Sequence, residues 1–414
     1  MRITVIVLFA GVSAWSPGFA QFQESESEQV FESESAPATE IETDSKSLYD
    51  HVSFAPRLTY LTQGSTDGDI DYQHGGKFDV TMKVDLHSLG WWQGANFIMK
   101  GEANYGHSIN NDTGLLMPVN LAMLYPGEEG SDRYDITSWY FQKRVGSSSA
   151  LLFGKMNMLD FTIRRGSGGA GIDYFWNVGL VAPPSGLIPP QIFGALLVGK
   201  TKSFQYTVGL YDANGTENKS GLEDPFEDGA NVALIVDFPV TIGGQRGYQG
   251  FKVAYSTKDE PDLSEISLPP AGGGFGNTKN RWYAAYTFKN YIRENTNVQD
   301  GGWGVFGQVG ISENPNGLDF SWALGIGGNS LTKARPEDRW GFGYFHFSVT
   351  DEIVDGLGGL GIPLQDERGF EIFYNAQVTP WLNVTADVQF IDPVSRNQDN
   401  VTLFGLRAST NFDF

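Results

Sequence analysis

The chain has 414 residues, no cysteine, and 49 acidic side chains against 28 lysines and arginines, for a formal charge of −21. The missing thiols exclude a disulfide-stapled scaffold, a cysteine nucleophile and a thiolate-bound metal together, and the acidic balance excludes a nucleic-acid partner. An aromatic share of 14% and 52 glycines suit a protein of tight turns and ring-studded strands.

Met1 to Ala20 opens with Arg2, runs apolar from Ile3 to Ala14 and closes on the small residues Gly18 and Ala20. This reads as a secretory signal peptide cleaved after Ala20. Its apolar run is shorter than the roughly 20 residues a permanent spanning helix needs. Segment 21–52 follows. Between Gln21 and Asp50 it carries nine acids against Lys46 alone, and its Ser/Glu-rich composition reads as a disordered tether or a solvated spacer.

Residues 53–414 read as one domain in which about sixteen strand-length runs recur with no convincing helix. These are 54–62, 76–87, 94–106, 135–144, 149–157, 191–200, 203–212, 229–240, 248–257, 280–291, 303–313, 318–329, 339–350, 368–379, 382–392 and 402–414. Faces alternate with a period of two. Phe78, Val80, Met82, Val84 and Leu86 oppose Lys77, Asp79, Thr81, Lys83 and Asp85. Leu318, Phe320, Trp322, Leu324 and Ile326 oppose Asp319, Ser321, Ala323, Gly325 and Gly327. Within Trp340–Val349 the apolar parity changes near Tyr344–Phe345, which predicts a bulge; Tyr134–Arg144 reads the same way. The last strand places Phe404, Leu406, Ala408, Thr410, Phe412 and Phe414 on one face and Gly405, Arg407, Ser409, Asn411 and Asp413 on the other.

Alternation alone also fits a soluble sandwich. Two further features select a membrane barrel. Long connections (107–134, 158–190, 213–228, 258–279) alternate with short ones (145–148, 201–202, 380–381), as between outer loops and periplasmic turns. Trp91, Trp92, Trp303, Trp340 and Trp381 gather near the short connections, as in an interfacial girdle. The expected fold is therefore all-β: a transmembrane antiparallel β-barrel of about sixteen strands in a Gram-negative outer membrane.

Catalytic and metal-binding patterns are wanting. The histidines (His51, His74, His87, His107, His346) are scattered, and no nucleophile elbow or phosphate loop occurs. The acids Glu223, Asp224, Glu227 and Asp228 could bind calcium, but an exposed solvated loop is the favoured reading. No catalysis, cofactor or metal is expected. The polar strand faces carry both signs of charge: Lys77, Asp79, Lys83, Asp85, Lys100, Glu102, Lys252, Arg281, Glu371, Asp387 and Arg407. Facing lipid, each would cost a few kcal/mol near the midplane, so this parity belongs to a hydrated lumen. Such a lining suits a neutral, hydroxyl-rich solute. In the longest connection, 158–190, Arg164 and Arg165 offer donors to hydroxyl groups, while Tyr174, Phe175 and Trp176 offer faces for a sugar ring. An outer loop with ordinary packing reads equally well.

Several long runs resemble the carbohydrate-selective porins, OprB type. They include Gly301–Asn316 (GGWGVFGQVGISENPN), Asp319–Gly328, Phe342–Ser348, Glu371–Pro393, Met117–Pro126 and Gly154–Asp160. The resemblance spans about 54–414. It implies a sixteen-stranded barrel that passes glucose and related sugars by diffusion through a narrowed pore, with sugars and outer-membrane lipid as partners and the oligomeric state open. The rival readings are a general or anion-type porin, an outer-membrane enzyme barrel and a secreted lectin.

Overall fold

A computed structural model describes residues 51–65, 70–124, 133–161, 174–181, 187–267, 274–278, 280–295, 301–313, 318–329, 332, 334–359 and 361–412. The first nine strands are β1 (Val52–Ser65), β2 (Gln73–Asp85), β3 (Ala95–Gly106), β4 (Arg133–Val145), β5 (Ser149–Asn157), β6 (Gln191–Lys200), β7 (Gln205–Asp212), β8 (Ala230–Ile242) and β9 (Gln245–Ser256). After β10 (Glu260–Ser267) and β11 (Gly274–Thr278) come β12 (Trp282–Asn295), β13 (Gly301–Glu313), β14 (Leu318–Asn329) and β15 (Arg339–Val349). The last three are β16 (Glu367–Thr379), β17 (Leu382–Asp392) and β18 (Val401–Thr410). Sixteen of these close into one barrel, each pairing with its neighbour, with β9 beside β12 and β18 returning to β1. The closing pair is antiparallel and runs from Thr59↔Ser409 to Ser65↔Leu403. Closure leaves no edge whose backbone groups would lie bare in lipid.

Every expected run is a barrel strand. The pair β10–β11 stands apart as a two-stranded sheet, inside a connection expected to be loop. A nine-residue helix, Asp351–Gly359, also interrupts a chain expected to have none. Neither carries the alternation by which strands were recognised. Between β8 and β9 the connection is two residues long, and Gly243 (φ 61°) and Gly244 (φ 77°) supply the two left-handed positions of a hairpin turn.

Outward positions are apolar and exposed: Phe78, Leu210, Val232, Leu234, Phe251, Val253, Leu324, Ile372, Phe404 and Leu406. Trp91, Trp92 and Trp381 are exposed near the short connections, and Trp303 lies 6.1 Å from Trp340. The bulge expected near Tyr344–Phe345 does not occur: β15 pairs with β16 in unbroken register through that point. Phe345 and Phe347 are apolar on the inward face because the lumen there is filled by protein. The bulge expected in Tyr134–Arg144 is present, with Lys100↔Ser138 followed by Gly101↔Ile136. A further bulge between Leu318 and Phe320 turns Leu318 inward and leaves Asp319 exposed, against the parity expected of both. Lys155 shares the outward parity of its partners Trp139 and Phe193, yet its side chain is 1% exposed. The connection 213–229 covers it: its Nζ donates to the Lys219 carbonyl at 2.7 Å and faces Asp135 at 3.3 Å. Burial pushes the carboxyl of Glu217 in this connection up.

Candidate pore constriction

Two connections turn inward. One follows β3 and includes short 3-10 turns at Ile109–Asn111 and Leu121–Met123. The other follows β5 and begins with α1 (Met158–Phe161); its later part holds α2 (Val178–Val181). They are joined by backbone bonds, Leu121 N–H to the Trp176 carbonyl at 2.8 Å and Val178 N–H to the Pro118 carbonyl at 2.9 Å. Their apolar side chains (Leu116, Met117, Val119, Phe175, Val178, Leu180) share one core with Phe306, Phe345, Phe347, Phe373, Ile391 and Leu403 of the wall. Burying each large apolar side chain is worth about 1.5–3 kcal/mol, so the docked segments are held by the same force that shapes an ordinary core.

Polar groups set their position. Glu371 accepts from the backbone N–H of Trp176 (2.6 Å) and of Asn177 (2.9 Å). Glu367 does the same for Leu116 (2.7 Å) and Met117 (2.9 Å). Gln389 accepts from Asn177 at 3.1 Å and donates to the Val119 carbonyl at 2.9 Å. It also donates to Asp387 at 2.9 Å. Arg407 donates to the Tyr174 carbonyl at 3.2 Å, and its guanidinium lies 4.7 Å from the Trp176 ring centroid. That ring lies over Gly405, where any Cβ would approach it to 2.6 Å. Only glycine lets the wall come so close.

Of the residues expected in the pore, five meet here: Tyr174, Trp176, Glu371, Asp387 and Arg407. Trp176 is fully buried and Tyr174 nearly so, with Arg339 5.3 Å from the Tyr174 ring. In this arrangement they anchor the inward segments to the wall. Alternation along β16–β18 was enough to place Glu371, Asp387 and Arg407 inside. What occupies them depends on contacts more than 190 residues away in sequence.

Lys100 and Glu102 lie elsewhere, in an ion cluster on β2 and β3. Lys100 Nζ is 2.9 Å from Glu102, 3.9 Å from Asp79 and 2.6 Å from Asp160 of α1; Lys77 is 3.5 Å from Glu102. Asp160, which sequence reasoning did not single out, is the member contributed by the inward connection. Its only signal was its place in the Gly154–Asp160 motif. Lys83 is half-buried on β2. Asp85 ends that strand and accepts from the N–H groups of His87 (2.9 Å) and Ser88 (3.2 Å), so it caps a short turn. Arg281 is buried just before β12. Arg164 and Arg165 lie outside the described residues.

Near another short connection, Asp338 accepts from the guanidinium of Arg335, from the Tyr374 hydroxyl and from Gln377 N–H at 3.0 Å. Burial acts to raise its carboxyl, but these donors outweigh it and hold the group below its ordinary range. The acids Glu223, Asp224, Glu227 and Asp228 line a cavity of about 110 Å³ in the 213–229 connection. Among the described residues, no group of three or more His, Asp or Glu side chains is arranged to hold a metal ion.

Comparison with solved structures places this architecture. The high-pH structure of Pseudomonas putida OprB aligns with a TM-score of 0.74 at 17% identity, over 88% of this chain and 95% of that one. The low-pH structure of the same protein gives 0.53 at 14% identity, over 98% and 100%. Vibrio cholerae OmpT gives 0.50 at 14% identity, over 87% and 99%. At such identities the likeness is one of fold. No curated protein matches the sequence significantly. The model of the carbohydrate-selective porin, OprB family, matches residues 70–412. The chain thus belongs to the carbohydrate-selective porin family, OprB type, and is an outer-membrane sugar porin.

Proposed function

We propose that this porin passes glucose and similar neutral, hydroxyl-rich solutes down their gradients, without a catalytic step. Its support is the way one long connection is anchored on the inner wall. The connection after β5 is fixed to β3 at Asp160 and to β16 and β18 at Trp176, Asn177 and Tyr174, so its described parts lie against the inner wall and narrow the lumen there. The wall near its first anchor carries lysines and carboxylates together. Such a lining offers donors and acceptors to hydroxyl groups without a field of one sign to draw ions.

Arg164 and Arg165 lie along the same connection and are proposed as donors to passing hydroxyls. Residues 1–20 are taken as an export signal and 21–52 as a solvated lead on the periplasmic side. The test is conductance of the purified protein in a planar bilayer, titrated with glucose and with a non-sugar solute of similar size. Saturable block by glucose alone is the expected result. Conductance indifferent to glucose would make the protein a general porin, and absence of conductance from folded protein would refute an open pore.

A further inference from the structure

We infer that Lys100 is a positioning residue that sets the width of the pore, by tethering the inward connection at Asp160. The inference rests on the reading of the protein as an open pore. In the closed wall β16 lies five strands from β3, through β2, β1, β18 and β17. The connection after β5 is therefore held on two distant parts of the wall. Its far end is held by a core and by many hydrogen bonds.

The near end is built differently. α1 has four residues. Its first and last residues, Met158 and Phe161, are buried, with the Phe161 ring 5.9 Å from that of Tyr140. The root of the connection is closed by Met158 N–H donating to the Pro190 carbonyl at 2.6 Å. Toward β3, the Asp160 carboxylate accepts from Lys100 Nζ at 2.6 Å.

Lys100 is 8% exposed, and its ammonium also faces Glu102 and Asp79. These carboxylates hold it on the wall whether or not Asp160 is present. The Asp160 side chain is 37% exposed, so it stands at the boundary between the wall and open lumen. A buried, wall-fixed cation paired with a half-exposed carboxylate at the root of the connection is a geometric stop. With the pair made, α1 stays against β3; with it lost, the root is free to shift while the far end remains docked. Loss of the tether then changes the clear width beside α1 and leaves the barrel intact.

The experiment compares the parent with Asp160→Asn, Lys100→Met and the conservative variant Asp160→Glu. Folding is checked by the mobility shift on heating in detergent. Readouts are single-channel conductance in potassium chloride and swelling of loaded liposomes in neutral sugars from pentose to trisaccharide. Asp160→Asn and Lys100→Met are each expected to shift the size cut-off and broaden the conductance distribution. Asp160→Glu, which keeps a carboxylate for Lys100, is expected to leave both near the parent. A cut-off and conductance unchanged in both folded Asp160→Asn and Lys100→Met would overturn the inference, as would a shift in Asp160→Glu as large as that in Asp160→Asn. If Asp160→Asn does not fold, Lys100→Met gives the same reading from the wall side. A parent that conducts ions but excludes every sugar would refute the proposed function and leave the tether testable through conductance alone.

Discussion

Trp176 is an instructive residue because its sequence setting, Tyr-Phe-Trp in a long connection, invites a stacking role. In the structure the ring is sealed between Arg407 and Gly405, and the backbone beside it is held by Glu371. Replacing Glu371 with alanine strands two buried N–H donors, each costing about 1–3 kcal/mol. Glu371→Ala should therefore loosen the docked segment, read as faster proteolysis of the 174–181 region in the folded barrel and as larger conductance steps. Gly405→Val acts on the same seat through sterics. It forces the ring off the wall, and overpacking of this kind costs about 1–3 kcal/mol. The same two readouts should move in the same direction, with no loss of the heat-modifiable barrel form.

Single strands show how sharply the two faces differ. Leu406 is 56% exposed while its neighbour Arg407 is 2% exposed, because one faces lipid and the other a filled lumen. Leu406→Arg should cost about 2–4 kcal/mol if the position lies near the midplane, measured by urea titration of the refolded barrel in lipid. Turns are stabilised by different means. Hydrogen bonds to the charged Asp338 are worth about 1.5–3 kcal/mol, with little from the exposed pair to Arg335. Its folded-state value is depressed, so the native state binds fewer protons than the unfolded chain below the ordinary aspartate range. That stability is fully present above the ordinary value and lost as pH falls through the folded one. Asp338→Asn should lower stability at neutral pH and flatten this acid limb, as seen in denaturation curves taken from neutral to strongly acidic pH.

For the molecule as a whole, closure is the decisive event. β18 pairs with β17 on one side and β1 on the other, so its backbone groups are spent on both neighbours. A proline at Leu406 removes a ladder donor between two strands, and Leu406→Pro should abolish the heat-modifiable form altogether. Inside the closed wall the apolar matter is divided. One cluster joins the inward segments to β13–β18, and another lines β3–β12 around Met156, Ile192, Leu196, Tyr211 and Tyr283. The charged ladder of β2 and β3 lies beside these clusters, which is why the lumen combines a docked plug of chain with a polar wall.

The number and approximate places of the barrel strands, most of their inward and outward faces and the membrane setting were legible in the residue order, because a period of two is a local property and lipid tolerates only closed ladders. The same order identified Glu371, Asp387 and Arg407 as lumenal. It misread Leu318 and Asp319, where a bulge shifts parity, and it took Phe345 and Phe347 for a defect in their strand. Apolar residues are ambiguous inside a barrel until one knows what fills it. That was decided by tertiary structure: which connections turn inward, which wall they dock on, and that Asp160 meets Lys100. Such contacts join segments far apart in the chain through shape and charge matched in three dimensions, and no local period records them.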